Sequence, residues 1–178
     1  YMPGGLYGVC SGFNSLRNVT VFKDALSTFA ANACAKLRAQ NSHAAVIQVF
    51  LQTNRFRKEL PQYMPSLAVP LPYPTHDSLE VNRWASHLCE RMFKPDYQYK
   101  KAGIMLSEIT PVTRRQGDLL EPDTTSNANL MQALDHLNQR FGRGTVKVST
   151  QGAFRDWEMR QERKSPNYTT CWDEVPVV

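Results

Sequence analysis

The side chains that most often carry covalent or metal chemistry are scattered in this sequence. Cys10, Cys34, Cys89 and Cys171 are widely separated and form no CxxC pair, which excludes a zinc ribbon. Cys34 and Cys89 fall inside helical patterns beside apolar neighbours, the setting of a small buried thiol rather than a nucleophile. His43, His76, His87 and His136 show no HExxH or other ligand spacing, and there is no GxSxG elbow, phosphate-binding loop or GxGxxG. The carboxylates are dispersed, and no strand carries the close acidic pair that a two-metal phosphoryl-transfer site requires. No catalytic or metal-ligating residue is therefore assigned, and no cofactor is expected in this chain. Charge is the remaining signal. Residues 1–110 hold 12 basic and 7 acidic side chains against 9 of each in 111–178, so the whole excess of +5 lies in the first part. Such an excess favours an anionic partner there, through a long-range, salt-sensitive field.

The chain that positions these residues has 178 of them, room for one domain of roughly 100 residues and a smaller companion. Hydrophobic residues at 42% and aromatics at 10% are enough to fill a core, which excludes wholesale disorder. No apolar run approaches the roughly 20 residues of a membrane-spanning helix and no basic-then-apolar leader is seen, so the expectation is a cytoplasmic protein without a membrane partner. The start at Tyr1, with Pro3, Gly4 and Gly5 behind it, is that expected of a cut through a longer polypeptide.

Residues 5–13 mix small, aromatic and apolar residues and read as a strand. From Thr20, taken as the N-cap, Phe22, Leu26, Phe29, Ala30, Ala33 and Leu37 recur at helical spacing as far as Arg38. In 44–53, Ile47, Val49 and Leu51 alternate with Gln48, Phe50 and Gln52, the period of a strand with one buried face. Five prolines punctuate 55–74, and the apolar piece at 66–71 reads as an edge strand, where proline is tolerated. Asp77 caps a helix that turns Val81, Ala85, Leu88 and Met92 inward and stops before Pro95, and Ile104 and Leu106 mark a last strand. This order predicts an α+β, ferredoxin-like split βαβ domain over 1–110, a four-stranded antiparallel sheet with two helices on one side and one open sheet face. Residues 111–126 read as a linker. A small α/β module follows over 127–178, with Leu130, Leu134, Leu137 and Phe141 as a compact apolar helix stripe and a strand at 144–150. Met131, Trp157 and Met159 are read as packing residues, and Trp172 as an anchor for the tail.

The chain resembles the C-terminal part of UmuC and MucB-type proteins, the Y-family translesion DNA polymerases. The stretches that carry the resemblance are LMQALDHLNQRFGRGTV at 130–146 and WEMRQERKSPNYTTCWDEVPVV at 157–178, supported by AANACAKLRAQ at 30–40, AVIQVFLQTNRF at 45–56 and YKKAGIMLSEI at 99–109. The resemblance implies that 1–110 is a little finger domain whose open sheet face lies across primer–template DNA. It implies DNA-contacting roles for Arg17, Gln48, Gln52, Asn54, Arg55, Arg57, Lys58, Lys100 and Lys101, gripping phosphates without reading bases. At the domain entry, where relatives carry an arginine-containing turn, this chain has CSGFNS at 10–15, which removes one inferred contact.

Gln116, Leu119 and Leu120, within QGDLL, stand where relatives carry a peptide that binds the sliding clamp, with Gly117 and Leu120 departing from the family pattern. The resemblance further implies a RecA filament and a UmuD-like subunit as partners of the last module, and a role in SOS mutagenesis. The full-length parent is a DNA-directed DNA polymerase using Mg2+ ions on palm-domain carboxylates, and with no palm here no polymerase activity is expected of this chain alone. The rival expectation is a free-standing protein-interaction module that no longer grips DNA, separated from the first by salt-dependent DNA binding.

Overall fold

The first helix, α1 (Val19–Ala39), forms because its apolar residues return every three or four positions. Phe22, Leu26, Ala30, Ala33, Cys34 and Leu37 are all essentially inaccessible to water in the computed structural model, which describes residues 6–16, 18–114, 125–142 and 144–152. The cap is Asn18 rather than Thr20. The extended backbone at Asn18 lets its Oδ1 accept the Thr20 N–H at 3.1 Å, and the Thr20 hydroxyl donates to the same oxygen at 2.7 Å. Thr20 is thus already helical. The helix ends at Gln40, and Asn41 takes a left-handed φ of 50° while its N–H closes on Arg38 O at 3.0 Å. Asp77 caps α2 (Ser78–Met92) as expected, accepting from Leu79 N–H at 2.8 Å, and Val81, Ala85, Leu88, Cys89 and Met92 are buried.

Four strands, β1 (Leu6–Leu16), β2 (Ser42–Thr53), β3 (Ser66–Thr75) and β4 (Tyr99–Pro111), form one sheet in the order β1-β4-β2-β3, with every neighbouring pair antiparallel. Each helix therefore connects two strands with a third lying between them: α1 joins β1 to β2 across β4, and α2 joins β3 to β4 across β2. This is the α+β split βαβ arrangement. Pro70, Pro72 and Pro74 fall on β3, an edge strand, where a missing N–H costs no ladder bond. Ile47, Val49, Leu51, Ala102, Ile104 and Leu106 turn inward and pack beneath α1 and α2 in one core.

One irregularity sets the far end of the sheet. Pairing passes from Gln52–Lys101 to Thr53–Tyr99, so β4 spends one extra residue, Lys100, where β2 spends none. This bulge lets Tyr99 enter the core while Lys101 stays on the opposite face. The Tyr99 ring meets Phe22 at 5.4 Å, Phe93 at 5.5 Å and Tyr63 at 6.4 Å between centroids. Its hydroxyl accepts the Lys94 N–H at 2.9 Å, and burial raises its pKa above the ordinary phenol value.

A 3-10 turn, Val112–Arg114, follows β4, and α3 spans Thr125–Phe141. Its expected stripe of Leu130, Leu134, Leu137 and Phe141 is not its docked face: Leu130, Leu137 and Phe141 are exposed, and Met131 is the buried residue. The reason is polar. Asp135, one turn past Met131, pairs with Arg38 through bonds of 2.5 and 2.7 Å, and Asn127, one turn before it, donates to Asp77 at 2.8 Å. These two contacts fix the helix by its 127, 131, 135 face. The strand expected at 144–150 does not form. Val146 exchanges both backbone bonds with the Asn138 side chain, leaving none for a ladder, and Ser149–Gln151 is a 3-10 turn.

That turn inserts Thr150 between the two domain helices, its hydroxyl within 3.0 Å of Ser27 Oγ and accepting from Asn82 at 2.7 Å. At the adjoining Gly152 (φ 69°), a Cβ would lie 2.9 Å from Asp24 Oδ2. Burial pushes the thiols of Cys34 and Cys89 up to about 12, in keeping with packing roles. Trp157, Met159, Trp172, Cys171 and the tail lie outside the described residues. Leu26→Ala, at the centre of α1, is expected to cost about 2–5 kcal/mol in a urea unfolding titration; a loss under 1 kcal/mol would show that the core is not built on this helix.

Candidate nucleic-acid interface

Because α1 and α2 both cover one side of the sheet, the alternate side chains form an open face. Cross-strand pairing sets them in rows: Gln48 opposite Met105 and Ala68, Phe50 opposite Gly103 and Ser66, Gln52 opposite Lys101. Gln48 donates from Nε2 to Ser66 Oγ at 2.7 Å, and Gln52 and Met105 are half-buried between their neighbours. The half-buried Phe50 stands beside Gly103, which offers no side chain and keeps the middle of the face low. The outcome is a shallow amide-rich surface with Lys101 at one end.

The basic side chains gather at that end. The loop between β2 and β3 is held by one side chain, Gln62, whose Nε2 donates to the carbonyls of Asn54 (3.1 Å), Arg57 (2.8 Å) and Leu60 (3.1 Å) while its Oε1 accepts from Thr53 Oγ1 (2.8 Å). Asn54 Oδ1 takes the Phe56 N–H at 3.1 Å, an Asx turn that starts the loop. This framework places Arg55, Phe56, Arg57 and Lys58 in solvent. The loop is tied to the sheet through Tyr63, whose ring stacks on Tyr97 at 4.8 Å and receives the Lys94 ammonium at 4.6 Å.

Of the residues expected from sequence, the structure brings together Gln48, Gln52 and Lys101 on the open face and Asn54, Arg55, Arg57 and Lys58 on the adjoining loop. Lys100, half-buried at the bulge, joins them at the same end. Asn54 is spent on loop structure, through both its side chain and its carbonyl. Arg17, Gln116, Leu119 and Leu120 lie outside the described residues. Sequence reading missed Lys94, Phe50 and Gln62. Lys94 is brought in by the aromatic cluster, and the alternation of 47–52 already placed Phe50 on the Gln48 face. Gln62 carried no signal, because its role exists only once the loop closes.

Among the described residues, none of Arg55, Arg57, Lys58, Lys94, Lys100 and Lys101 forms an ion pair. Arg55 instead donates to Met64 Sδ at 3.1 Å. The opposite, helical side is occupied by α3 and the Thr150 turn. Among the described residues, no group of His, Cys, Asp and Glu is placed to hold a metal ion, and no helix is long and apolar enough to cross a membrane. A polar sheet face with a cationic rim is electrostatically complementary to a phosphate backbone.

Comparison with known proteins gives this chain a lineage. Residues 10–119 match the impB/mucB/samB family C-terminal domain, and 128–178 match a domain of unknown function, DUF4113. UmuC of Salmonella typhimurium is 33% identical over 155 residues, covering 86% of this chain and 37% of its own length. ImpB of Salmonella typhimurium is 33% identical over 156 residues, 86% of this chain and 36% of that protein. MucB of Escherichia coli is 32% identical over 164 residues, 91% and 38% respectively. The chain belongs to the impB/mucB/samB family and is a UmuC-like Y-family polymerase C-terminal part. It spans less than two fifths of the length of these relatives.

Replacing Gln62 with Ala removes three donor contacts at once. Trypsin is expected to cut the variant at Arg55, Arg57 or Lys58 several-fold faster than the unaltered chain, with a stability loss of about 1–3 kcal/mol. Equal cleavage rates would show that Gln62 does not hold the loop.

Proposed function

We propose that this chain is the DNA-gripping and partner-tethering region of an error-prone translesion polymerase. The observation that carries this is the gathering of six cations, none in an ion pair with another described residue, at one end of an amide-bearing sheet face on the side away from α3. Primer–template DNA lies along that face, with Gln48, Gln52 and Lys101 beneath it and Arg55, Arg57, Lys58, Lys94 and Lys100 against the phosphates. Such contacts position a duplex without reading its sequence, which suits a polymerase that must hold damaged template. No catalytic step is assigned to this chain; nucleotide transfer and its Mg2+ ions belong to a palm domain elsewhere.

The segment at 116–120 supplies the clamp tether, Gln116 filling a polar site and Leu119 and Leu120 an apolar pocket, so that weak phosphate grip is reinforced by local concentration. The exposed apolar residues Leu130, Leu137, Phe141 and Val146 support protein contacts by the last module, with a RecA filament or a UmuD-like subunit as the partners in this setting.

Two experiments test these roles. In a fluorescence-anisotropy salt series on a primer–template duplex, log affinity is expected to fall linearly with log salt, and the Arg55, Arg57, Lys58 triple alanine variant should flatten that slope by about 2–3. Binding that is absent at low salt would leave the chain as a protein-interaction module. Alanine at Gln116, Leu119 and Leu120 together should abolish co-sedimentation with the sliding clamp and leave DNA affinity unchanged. Undiminished clamp binding would remove the tether from 116–120.

A further inference from the structure

Phe56 is 96% exposed, more than any other large apolar side chain described, and the next most exposed, Phe141, reaches 61%. A slack loop would explain this, but the loop is not slack. Asn54 fixes the Phe56 N–H, and Gln62 fixes the carbonyls on both sides. The other aromatics at this end are in use: Tyr63 on Tyr97, and Phe22, Phe93 and Tyr63 around Tyr99. Nor is the ring a platform for its own neighbours, since Arg55 turns to Met64 Sδ and Lys94 sits over Tyr63. An aromatic ring is therefore presented to solvent from a fixed loop among three exposed cations, Arg55, Arg57 and Lys58, and the loop reaches a fourth, Lys94, through Tyr63.

We propose that Phe56 is a stacking platform for an unpaired nucleobase of the DNA held on the open sheet face. The chemistry is specific to single strands. Within a duplex each base already lies between two others, whereas an unpaired base has a free π-face, and aromatic stacking on such bases does not depend on their identity. The flanking cations supply the attraction for the phosphates on either side of that base, and the pre-set loop spares the ordering cost that a floppy aromatic would pay on binding. Positive charge around the ring selects this occupant over an apolar protein surface, whose docking would have to desolvate three exposed cations. The inference rests on the DNA reading above and adds to it a preference for primer–template junctions over blunt duplex.

The test compares the unaltered chain with Phe56→Ala, Phe56→Trp and Arg57→Ala on three labelled probes: a blunt duplex, the same duplex with a single-stranded template overhang, and oligo(dT). Phe56→Ala is expected to weaken the overhang and oligo(dT) complexes about tenfold, within the range of one lost base stack. It should leave blunt-duplex affinity within twofold and the salt slope unchanged, because no phosphate contact is removed. Phe56→Trp should restore affinity, with its fluorescence quenched by oligo(dT). Arg57→Ala should lower the salt slope on all three probes. Overhang binding by Phe56→Ala equal to that of the unaltered chain overturns the stacking role alone. An equal loss on blunt duplex also overturns it, in favour of a wedge into paired DNA. Absence of salt-dependent binding by the unaltered chain overturns the DNA reading and the stacking role with it. A melting curve for Phe56→Ala that matches the unaltered chain, as its exposure requires, keeps folding out of the comparison.

Discussion

The Tyr99 ring and the bulge at Lys100 are one device, and the basic end of the molecule depends on it. A strand without the extra residue would put Tyr99 and Lys101 on the same side of the sheet. With it, the tyrosine closes an aromatic cluster that joins α1 through Phe22, the end of α2 through Phe93 and the β2–β3 loop through Tyr63. Its hydroxyl holds the backbone of Lys94. The same register step that completes the core therefore presents Lys101 outward and draws Lys94 and the loop cations towards it. Structural and electrostatic requirements are met by one inserted residue.

Division of labour between the two sides of the sheet follows from the topology. Both crossovers run over the same face, so the helices consume it and, among the described residues, no helix covers the other. The helical side is then covered in turn by the segment after β4, pinned at the Arg38–Asp135 and Asp77–Asn127 contacts and again at Thr150. Arg38 is nearly buried and also donates to the His76 carbonyl and Ser78 hydroxyl, so this ion pair sits in a satisfied network rather than as an isolated surface charge. The two sides of the sheet are thus separate surfaces.

Much of the domain was legible in the sequence because hydrophobic periodicity is local. The recurrence from Phe22 to Leu37, the alternation of Ile47, Val49 and Leu51, the Asp77 cap and the proline-bearing edge strand all came from short windows. Failures lie where the deciding partner is distant or where two local candidates compete. Asn18 displaced Thr20 because its side chain reaches the second helical N–H from an extended backbone. The face that α3 buries was set by Arg38, 97 residues from Asp135, against the leucines that dominate its pattern. Val146 lost its strand to the Asn138 side chain. At the site, the basic run 55–58 was visible as composition, but neither the outward hold on Phe56 nor the recruitment of Lys94 exists before the loop and the aromatic cluster assemble.

The central claim, that DNA lies on the open sheet face and its basic end, is tested most directly by amide chemical-shift mapping of the isotope-labelled chain with a primer–template duplex. Shifts concentrated at Gln48, Phe50, Gln52, residues 54–62, Lys94 and 100–105, with α1, α2 and α3 unmoved, are the predicted result. Shifts centred on the helical side, or none at a duplex concentration that saturates anisotropy, would contradict it.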